Sequence, residues 1–130
     1  MNASNHPHKH RRGLARLRYA FVYSLQGLLA GVRTSPAFRL ELALAGFGFV
    51  LAFLLGRNWL EVVFLLAVLV LVLIVEMLNC GIEAAIDRVG FEVHPLSKLA
   101  KDYGSAAVFL SLVLCAGVWL NLLCVRLVAY

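Results

Sequence analysis

The feature that most limits what this chain can fold into is a run of fourteen apolar residues, 62–75, with a carboxylate directly behind it. The polar residues that follow, at intervals of three or four, are Glu76, Asn79, Glu83 and Asp87. We predict a helix over residues 60–88, which is about 43 Å long at 1.5 Å per residue. Because that length exceeds the bilayer core of about 30 Å, the last three turns should protrude into the cytosol.

These four polar residues fall on one face of the predicted helix, and we call them the acidic stripe. At about 100° per residue, offsets of 3, 7 and 11 positions from Glu76 lie within about 60° of one another. Carboxylates at a boundary between lipid and water are costly and are usually functional. The alternative is a helix end that only solvates itself, but the apolar neighbours Leu78 and Ile82 weigh against it.

The composition places the rest of the chain in a membrane as well. Of 130 residues, 62% are apolar, and the mean hydropathy is +0.88. A soluble domain of this size could not cover that much apolar surface. We therefore predict an all-α membrane protein with a single membrane domain over residues 13–130, preceded by a flexible basic tail over residues 1–12. No long apolar segment directly follows the basic head, so we expect no removable signal peptide.

Four segments make up this predicted domain. Apolar residues recur every three or four positions over residues 13–33, which predicts an amphipathic helix at the cytosolic interface. Membrane spans are predicted at about residues 37–55, 60–88 and 103–125, with a loop or short amphipathic turn through residues 90–100. Three spans cannot enclose a site of several carboxylates. We therefore expect a homo-oligomer with sites built between subunits.

The positive charges predict the orientation of the chain. Of the 12 Lys and Arg residues, ten lie at or before the first span or between the second and third, whereas Arg57 and Arg126 lie on the other side. The positive-inside rule then places the N-terminus and residues 87–102 in the cytosol. These cations are not interleaved with stacking aromatic residues on a soluble fold, so nucleic acid is not an expected partner.

Oxygen-rich side chains at one membrane surface indicate phosphoryl transfer. Carboxylates one or two helical turns apart can hold Mg²⁺ or act as a general base. Lys101 and Asp102 lie at the mouth of the third span, where such a pair can hold phosphate oxygens and orient a metal. The sequence contains neither GxxxxGK[ST] nor GxGxxG, so it is not a P-loop kinase or a protein kinase. The pattern favours a phosphotransfer site for a lipid alcohol.

Two motifs resemble those of a known family. The patterns are ExxNxxIExxxD over residues 76–87 and AKDxGSAAV over residues 100–108. In these motifs, and over roughly residues 16–113, the chain resembles the small bacterial diacylglycerol kinases. The resemblance implies a homotrimer in the bacterial inner membrane with active sites at the subunit interfaces. It also implies phosphorylation of diacylglycerol to phosphatidic acid, with ATP as co-substrate and Mg²⁺ as cofactor.

The same resemblance implies roles for individual side chains. Glu76 would be the general base on the lipid hydroxyl, Asn79 would hold the phosphoryl group or order that base, and Glu83 would bind Mg²⁺ bridged to the ATP phosphates. Besides Glu83, the residues implied to contact the nucleotide are Arg16, Tyr23, Glu92, His94, Lys101 and Asp102. Those implied to line the lipid side are Phe38, Arg39, Glu41 and Ser105.

The chain departs from the family pattern in two places. Ser35 stands where the family has a metal-binding glutamate just before the first span. Either Glu83 then holds the metal with water and phosphate, or another acid such as Glu41 compensates, or turnover is reduced. Residues 94–98 resemble the undecaprenol-kinase branch, whereas residues 104–108 resemble the diacylglycerol branch. An undecaprenol kinase and a non-catalytic membrane scaffold or regulator are therefore the alternatives.

Overall fold

Four helices form the fold. The computed structural model describes residues 14–90 and 94–128. Every regular element within them is a helix: α1 is Leu14–Thr34, α2 is Pro36–Leu55, α3 is Trp59–Val89 and α4 is Pro95–Val128. The helices α2, α3 and α4 are long and apolar enough to cross a membrane, which confirms the predicted all-α membrane fold. The tail predicted over residues 1–12 and the predicted nucleotide contact Glu92 lie outside the described residues.

Side-chain caps explain where α2 and α3 begin. Ser35 Oγ accepts a hydrogen bond from the backbone N of Phe38 at 3.0 Å, and Pro36 occupies the first position of α2, where no amide hydrogen is needed. At α3, Asn58 Oδ1 accepts from the backbone N of Glu61 at 2.9 Å. Each such cap stabilises a helix by about 1 kcal/mol. The connection between α2 and α3 is therefore a short turn.

The start of α4 differs from the prediction. Its first residue is Pro95, so the loop or short turn predicted through residues 90–100 is wrong for its second half. Proline suits a first helical position because its missing amide hydrogen would have no partner there. His94 Nδ1 also accepts a hydrogen bond from the backbone N of Leu96 at 3.2 Å, as a cap does. In the described part of the chain, α3 therefore ends at Val89 and α4 begins at Pro95.

The central helix of the bundle is α3. It packs against α1, α2 and α4, whereas the backbones of α2 and α4 do not approach each other closely in the described part of the chain. Spacings of three and four residues keep the buried side chains of α3 on one face. They are Val62, Leu65, Val68, Val72, Glu76 and Asn79. The apolar core of the bundle therefore continues without interruption into the first two members of the acidic stripe.

The outward faces of the bundle are apolar and uncovered. Leu54 on α2 and Leu60 on α3 are more than two-thirds exposed. Among the described residues of α4, only Gly104 and Ser111 are buried. In a membrane such faces contact lipid or further copies of the chain, because neither requires polar groups.

An ion pair closes the bundle at the end opposite the acidic stripe. Arg126 Nη2 donates to Glu61 Oε2 at 2.5 Å and to the carbonyl oxygen of Leu55 at 2.9 Å. These three residues belong to α4, α3 and α2, so one guanidinium ties all three spans together. The Arg126 side chain is only 15% exposed, which reduces the screening of this pair by solvent.

Candidate active site

The acidic stripe lines a cleft at the end of the bundle where α2 and α4 begin. The cleft has a volume of about 530 Å³, and all four members of the stripe line it. The start of α2 contributes Ser35 and Pro36, and α4 contributes Ser105 and Val108. The structure therefore brings the stripe together with the start of α2 and with a segment of α4 about three turns from its first residue.

Glu76 is the most deeply buried member of the stripe, with 3% of its surface exposed. Its Oε1 accepts a hydrogen bond from Ser35 Oγ at 3.1 Å and another from Cys80 Sγ at 3.6 Å. No described residue donates a hydrogen bond to Oε2. Hydrogen bonds are stronger in a setting of low dielectric. Glu76 lines the cleft, and its Oε2 atom can therefore take a proton from a hydroxyl group that is bound there.

Asn79 links the buried end of the stripe to its exposed end. Its Nδ2 donates to Glu83 Oε1 at 3.3 Å. Asn79 itself is 8% exposed, and its Oδ1 is buried with no hydrogen-bond partner among the described residues. Glu83 is exposed. Asn79 therefore orients a carboxylate that faces solvent at the mouth of the cleft.

The oxygen donors at this mouth suit a hard cation. The described residues include no group of three or more His, Cys, Asp or Glu side chains that could hold a metal ion. Glu83 and Asp87 both line the cleft and are one helical turn apart. Mg²⁺ prefers oxygen ligands and usually combines one or two carboxylates with waters and substrate phosphates. These two carboxylates fit an ion that shares its coordination shell with a phosphate group.

Two ion pairs lie beside the cleft. Lys101 Nζ is 2.6 Å from Asp87 Oδ1, so α4 places this ammonium at the outer end of the acidic stripe. Lys98 Nζ is 2.5 Å from Asp102 Oδ2, and both side chains are more than half exposed. The structure thus brings Lys101 next to Asp87, a residue that lines the cleft, but neither Lys101 nor Asp102 lines it.

The other residues predicted to contact the nucleotide lie away from the cleft of a single chain. Arg16 and Tyr23 are exposed on α1, where the Tyr23 ring centroid lies 6.4 Å from that of Tyr19. His94 is exposed at the start of α4. None of these three predicted contacts lines the cleft. One chain therefore does not assemble the predicted nucleotide pocket.

The residues predicted to line the lipid side fall into two groups. Ser105 lines the cleft, and Glu41 is half-buried with an Oε2 atom that has no hydrogen-bond partner among the described residues. Phe38 is 1% exposed and belongs to the core. Arg39 is exposed, and its Nη1 donates to the carbonyl oxygen of Val32 at 3.2 Å. In this chain, Phe38 and Arg39 thus support internal packing and the end of α1.

Two residues contribute to the site although the sequence predicted no role for them. Cys80 follows Glu76 by one helical turn, the spacing at which side chains on a helix meet, and its thiol donates to the Glu76 carboxylate. Gly104 faces Asn79, and a Cβ at this position would collide with Asn79 Oδ1. The contact between Cys80 and Glu76 could be predicted from their spacing of four residues. The contact between Gly104 and Asn79 could not, because it depends on how closely α4 approaches α3.

Replacing Gly104 by Ala should separate α4 from α3. The added Cβ would collide with the Asn79 carboxamide and lie 3.7 Å from Ile82 Cδ1. Overpacking of this kind costs about 1–3 kcal/mol, so we expect a lower midpoint of thermal unfolding. Gly117→Ala on the same helix is the control, because a Cβ there meets nothing within 4 Å. Equal midpoints for the two variants would contradict the close packing of Gly104.

The fold and the cleft define a small helical membrane protein with an acid-lined site at one end, and comparison with known proteins identifies its family. A family model described as prokaryotic diacylglycerol kinase matches residues 22–123. The chain is 46% identical over 117 residues to a diacylglycerol kinase of Pseudomonas aeruginosa, which covers 90% of this chain and 95% of the relative.

Two further relatives agree. A diacylglycerol kinase of Haemophilus influenzae is 41% identical over 107 residues, which cover 82% of this chain and 91% of the relative. A diacylglycerol kinase of Escherichia coli K12 is 40% identical over 111 residues, which cover 85% of this chain and 91% of the relative. The chain belongs to the prokaryotic diacylglycerol kinase family, as its motifs predicted.

Proposed function

We propose that this protein transfers the γ-phosphoryl group of ATP to the free hydroxyl group of diacylglycerol, forming phosphatidic acid and ADP. Membership of the family supports this reaction. The single observation that carries the proposal is the buried carboxylate of Glu76 at the point where the apolar core of α3 ends. A lipid hydroxyl can reach this depth while its acyl chains stay in the bilayer.

Glu76 acts as the general base in this proposal. Its Oε2 takes the proton of the lipid hydroxyl while the hydroxyl oxygen forms a bond to the γ-phosphorus. The bond between that phosphorus and the oxygen shared with the β-phosphate breaks, and the electron pair leaves with ADP. The burial of Glu76 supports this role because bulk water cannot compete freely for the same oxygen.

In this proposal Glu83 would hold Mg²⁺ next to the phosphate groups of ATP. When bound, the ion neutralises negative charge on the phosphate groups. The hydrogen bond from Asn79 supports the assignment, since it fixes the carboxylate that would hold the metal. Asp87 is the second carboxylate within reach of the same space. Ser35 is a neutral ligand at best, so the charge must come from these acids.

Lys101 contacts the phosphate groups and gives up its present pairing with Asp87 when the nucleotide binds. An exposed pair of this kind contributes little to stability, so its rearrangement is inexpensive. Arg16, Tyr23, Glu92 and His94 complete the nucleotide pocket in our proposal, together with Asp102.

We further propose that the active form is a homotrimer. Three observations support assembly between copies: only two of the described residues of α4 are buried, the cleft is open, and Arg16 and Tyr23 do not line it within one chain. A neighbouring subunit would cover the cleft and bring the missing contacts to it. We place the trimer in the bacterial inner membrane with the N-terminus in the cytosol, since ten of the 12 Lys and Arg residues then lie on the cytosolic side.

A transfer assay tests the reaction and its substrate together. The full-length protein in lipid micelles would receive [γ-³²P]ATP, Mg²⁺ and either diacylglycerol or undecaprenol. We expect label on phosphatidic acid and none when Mg²⁺ is chelated. Undecaprenol is the second candidate because residues 94–98 resemble that branch. Label on the polyprenol alone would overturn the choice of substrate, and label on neither lipid would favour a scaffold.

A further inference from the structure

We propose that Ser35 is a positioning residue, which holds the Glu76 carboxylate in place for catalysis by donating a hydrogen bond to it. This role rests on the proposed function of Glu76 as general base. The role proposed for Ser35 differs from the role that the resemblance implies for this position, where the family pattern has a metal-binding acid. In this chain the side chain at position 35 is neutral and its proton points at another carboxylate.

The hydroxyl group of Ser35 makes two contacts at once, and they are complementary. Its oxygen accepts from the backbone N of Phe38 at 3.0 Å, which caps α2. Its proton is donated to Glu76 Oε1 at 3.1 Å. A hydroxyl has one donor and two acceptor sites, so the cap bond leaves the proton available. Pro36 at the first position of α2 and the buried Phe38 ring fix the backbone on which this hydroxyl stands.

The contact also selects which oxygen of Glu76 is free. Ser35 and Cys80 both donate to Oε1, and no described residue donates to Oε2. A carboxylate held by one oxygen in a buried site cannot rotate freely, so the other oxygen keeps a fixed direction. A general base must lie within hydrogen-bond reach of the proton that it removes. Ser35 therefore acts on the reaction through the geometry of Glu76, without touching either substrate.

The start of α2 is thereby coupled to the site on α3. Ser35 and Glu76 are separated by 41 positions in the chain, and the serine belongs to the junction between α1 and α2. A displacement of this junction would move the donor away from the carboxylate. A hydroxyl group at a helix cap is well suited to hold a carboxylate in place, because the backbone of the first helical turn has little freedom.

Three substitutions of Ser35 distinguish its role as the cap of α2, its role as hydrogen-bond donor to Glu76, and a role as metal ligand. Ser35→Ala removes both the cap acceptor and the donor. Ser35→Thr keeps both, and Ser35→Asp keeps the cap but has no proton to donate at neutral pH. The control is Ser111→Ala, which removes a buried hydroxyl whose one hydrogen bond among the described residues goes to the carbonyl oxygen of Val108. Each variant would be assayed for kcat, for KM of ATP and diacylglycerol, and for its thermal midpoint.

The alanine variant should lose up to about 100-fold in kcat, the scale on which misplacement of a reacting group acts, with both KM values little changed. The threonine variant should retain most of the wild-type kcat. The aspartate variant should lose at least as much kcat as the alanine variant although it keeps the cap, because its charge repels Glu76. Ser111→Ala should retain wild-type kcat.

Each contrary result has a distinct meaning. Wild-type kcat in Ser35→Ala, or in Ser35→Asp, would overturn the positioning role, since neither variant has the donor. A gain of kcat in Ser35→Asp would assign position 35 to the metal shell instead. A wild-type protein that labels no lipid would overturn the proposed function, and this role with it, whereas an active wild type confines any failure to Ser35.

Discussion

Replacing Glu76 by Gln should lower kcat for diacylglycerol phosphorylation by roughly 10²- to 10⁴-fold, the contribution typical of a general acid or base. Glutamine has the same shape and can still accept hydrogen bonds from Ser35 and Cys80, but its amide cannot take up the hydroxyl proton. Because Glu76 is only 3% exposed, the substitution removes a buried charge and leaves the volume of the side chain unchanged. We therefore expect the fold and the oligomer to be retained.

The measurement is a radiolabelled transfer assay on wild-type and variant protein of equal oligomeric size. Glu61→Gln is a matched control, since Glu61 lies on the same helix at the opposite end of the bundle, paired with Arg126. This control should lower the thermal midpoint through its weakened ion pair and keep kcat near the wild-type value. A Glu76→Gln protein with near wild-type kcat would exclude Glu76 as the base.

The sequence predicts α3 and its site well because a single periodicity specifies both. Apolar residues at spacings of three and four make Val62 to Val72 a core stripe, and the same spacing carries Glu76 and Asn79 onto the same face. Burial of the core therefore determines where these two polar side chains lie. No contact with another helix is needed to predict that they share a direction.

The contacts between the site on α3 and the other helices cannot be predicted from residue spacing within one segment. The hydrogen bond between Ser35 and Glu76 depends on how α2 packs against α3. The fit of Gly104 against Asn79 depends on the approach of α4. Phe38 was predicted to line the lipid side, but a fully buried ring and an interface ring have the same local sequence pattern. Only the packing places Phe38 in the core.

The start of α4 illustrates a conflict between two local signals. A proline preceded by a histidine and a glycine-containing segment predicts a loop. Proline is equally suited to the first turn of a helix. Here the helical alternative is realised, and it extends α4 so that Lys101 lies two turns inside the helix and reaches Asp87. The ion pair at the edge of the cleft is a consequence of that longer helix.

Replacing Glu83 by Gln should impair metal binding as well as transfer. The amide oxygen can still accept from Asn79 Nδ2, which now reaches Glu83 Oε1 at 3.3 Å, but the negative charge that attracts Mg²⁺ is lost. Partners that only orient metal ligands are worth about 10- to 100-fold in affinity or activity, so loss of a ligand itself should cost at least that much. We expect kcat at fixed Mg²⁺ to fall by roughly 100-fold or more, and the Mg²⁺ concentration for half-maximal rate to rise.

Comparing Glu83→Gln with Glu76→Gln separates metal binding from proton removal. Calorimetric titration of ATP in the presence of Mg²⁺ should give near wild-type affinity for the Glu76→Gln protein, because Glu76 lies deep in the cleft and contacts neither the metal nor the nucleotide in our proposal. The same titration should give a weaker affinity for the Glu83→Gln protein, with partial recovery at high Mg²⁺. An unchanged Mg²⁺ dependence in Glu83→Gln would move the ion away from this carboxylate, and Asp87 would then be the acid in the cleft to substitute next. A loss of nucleotide affinity in Glu76→Gln would instead place the nucleotide against the buried end of the stripe, where our proposal has the lipid hydroxyl.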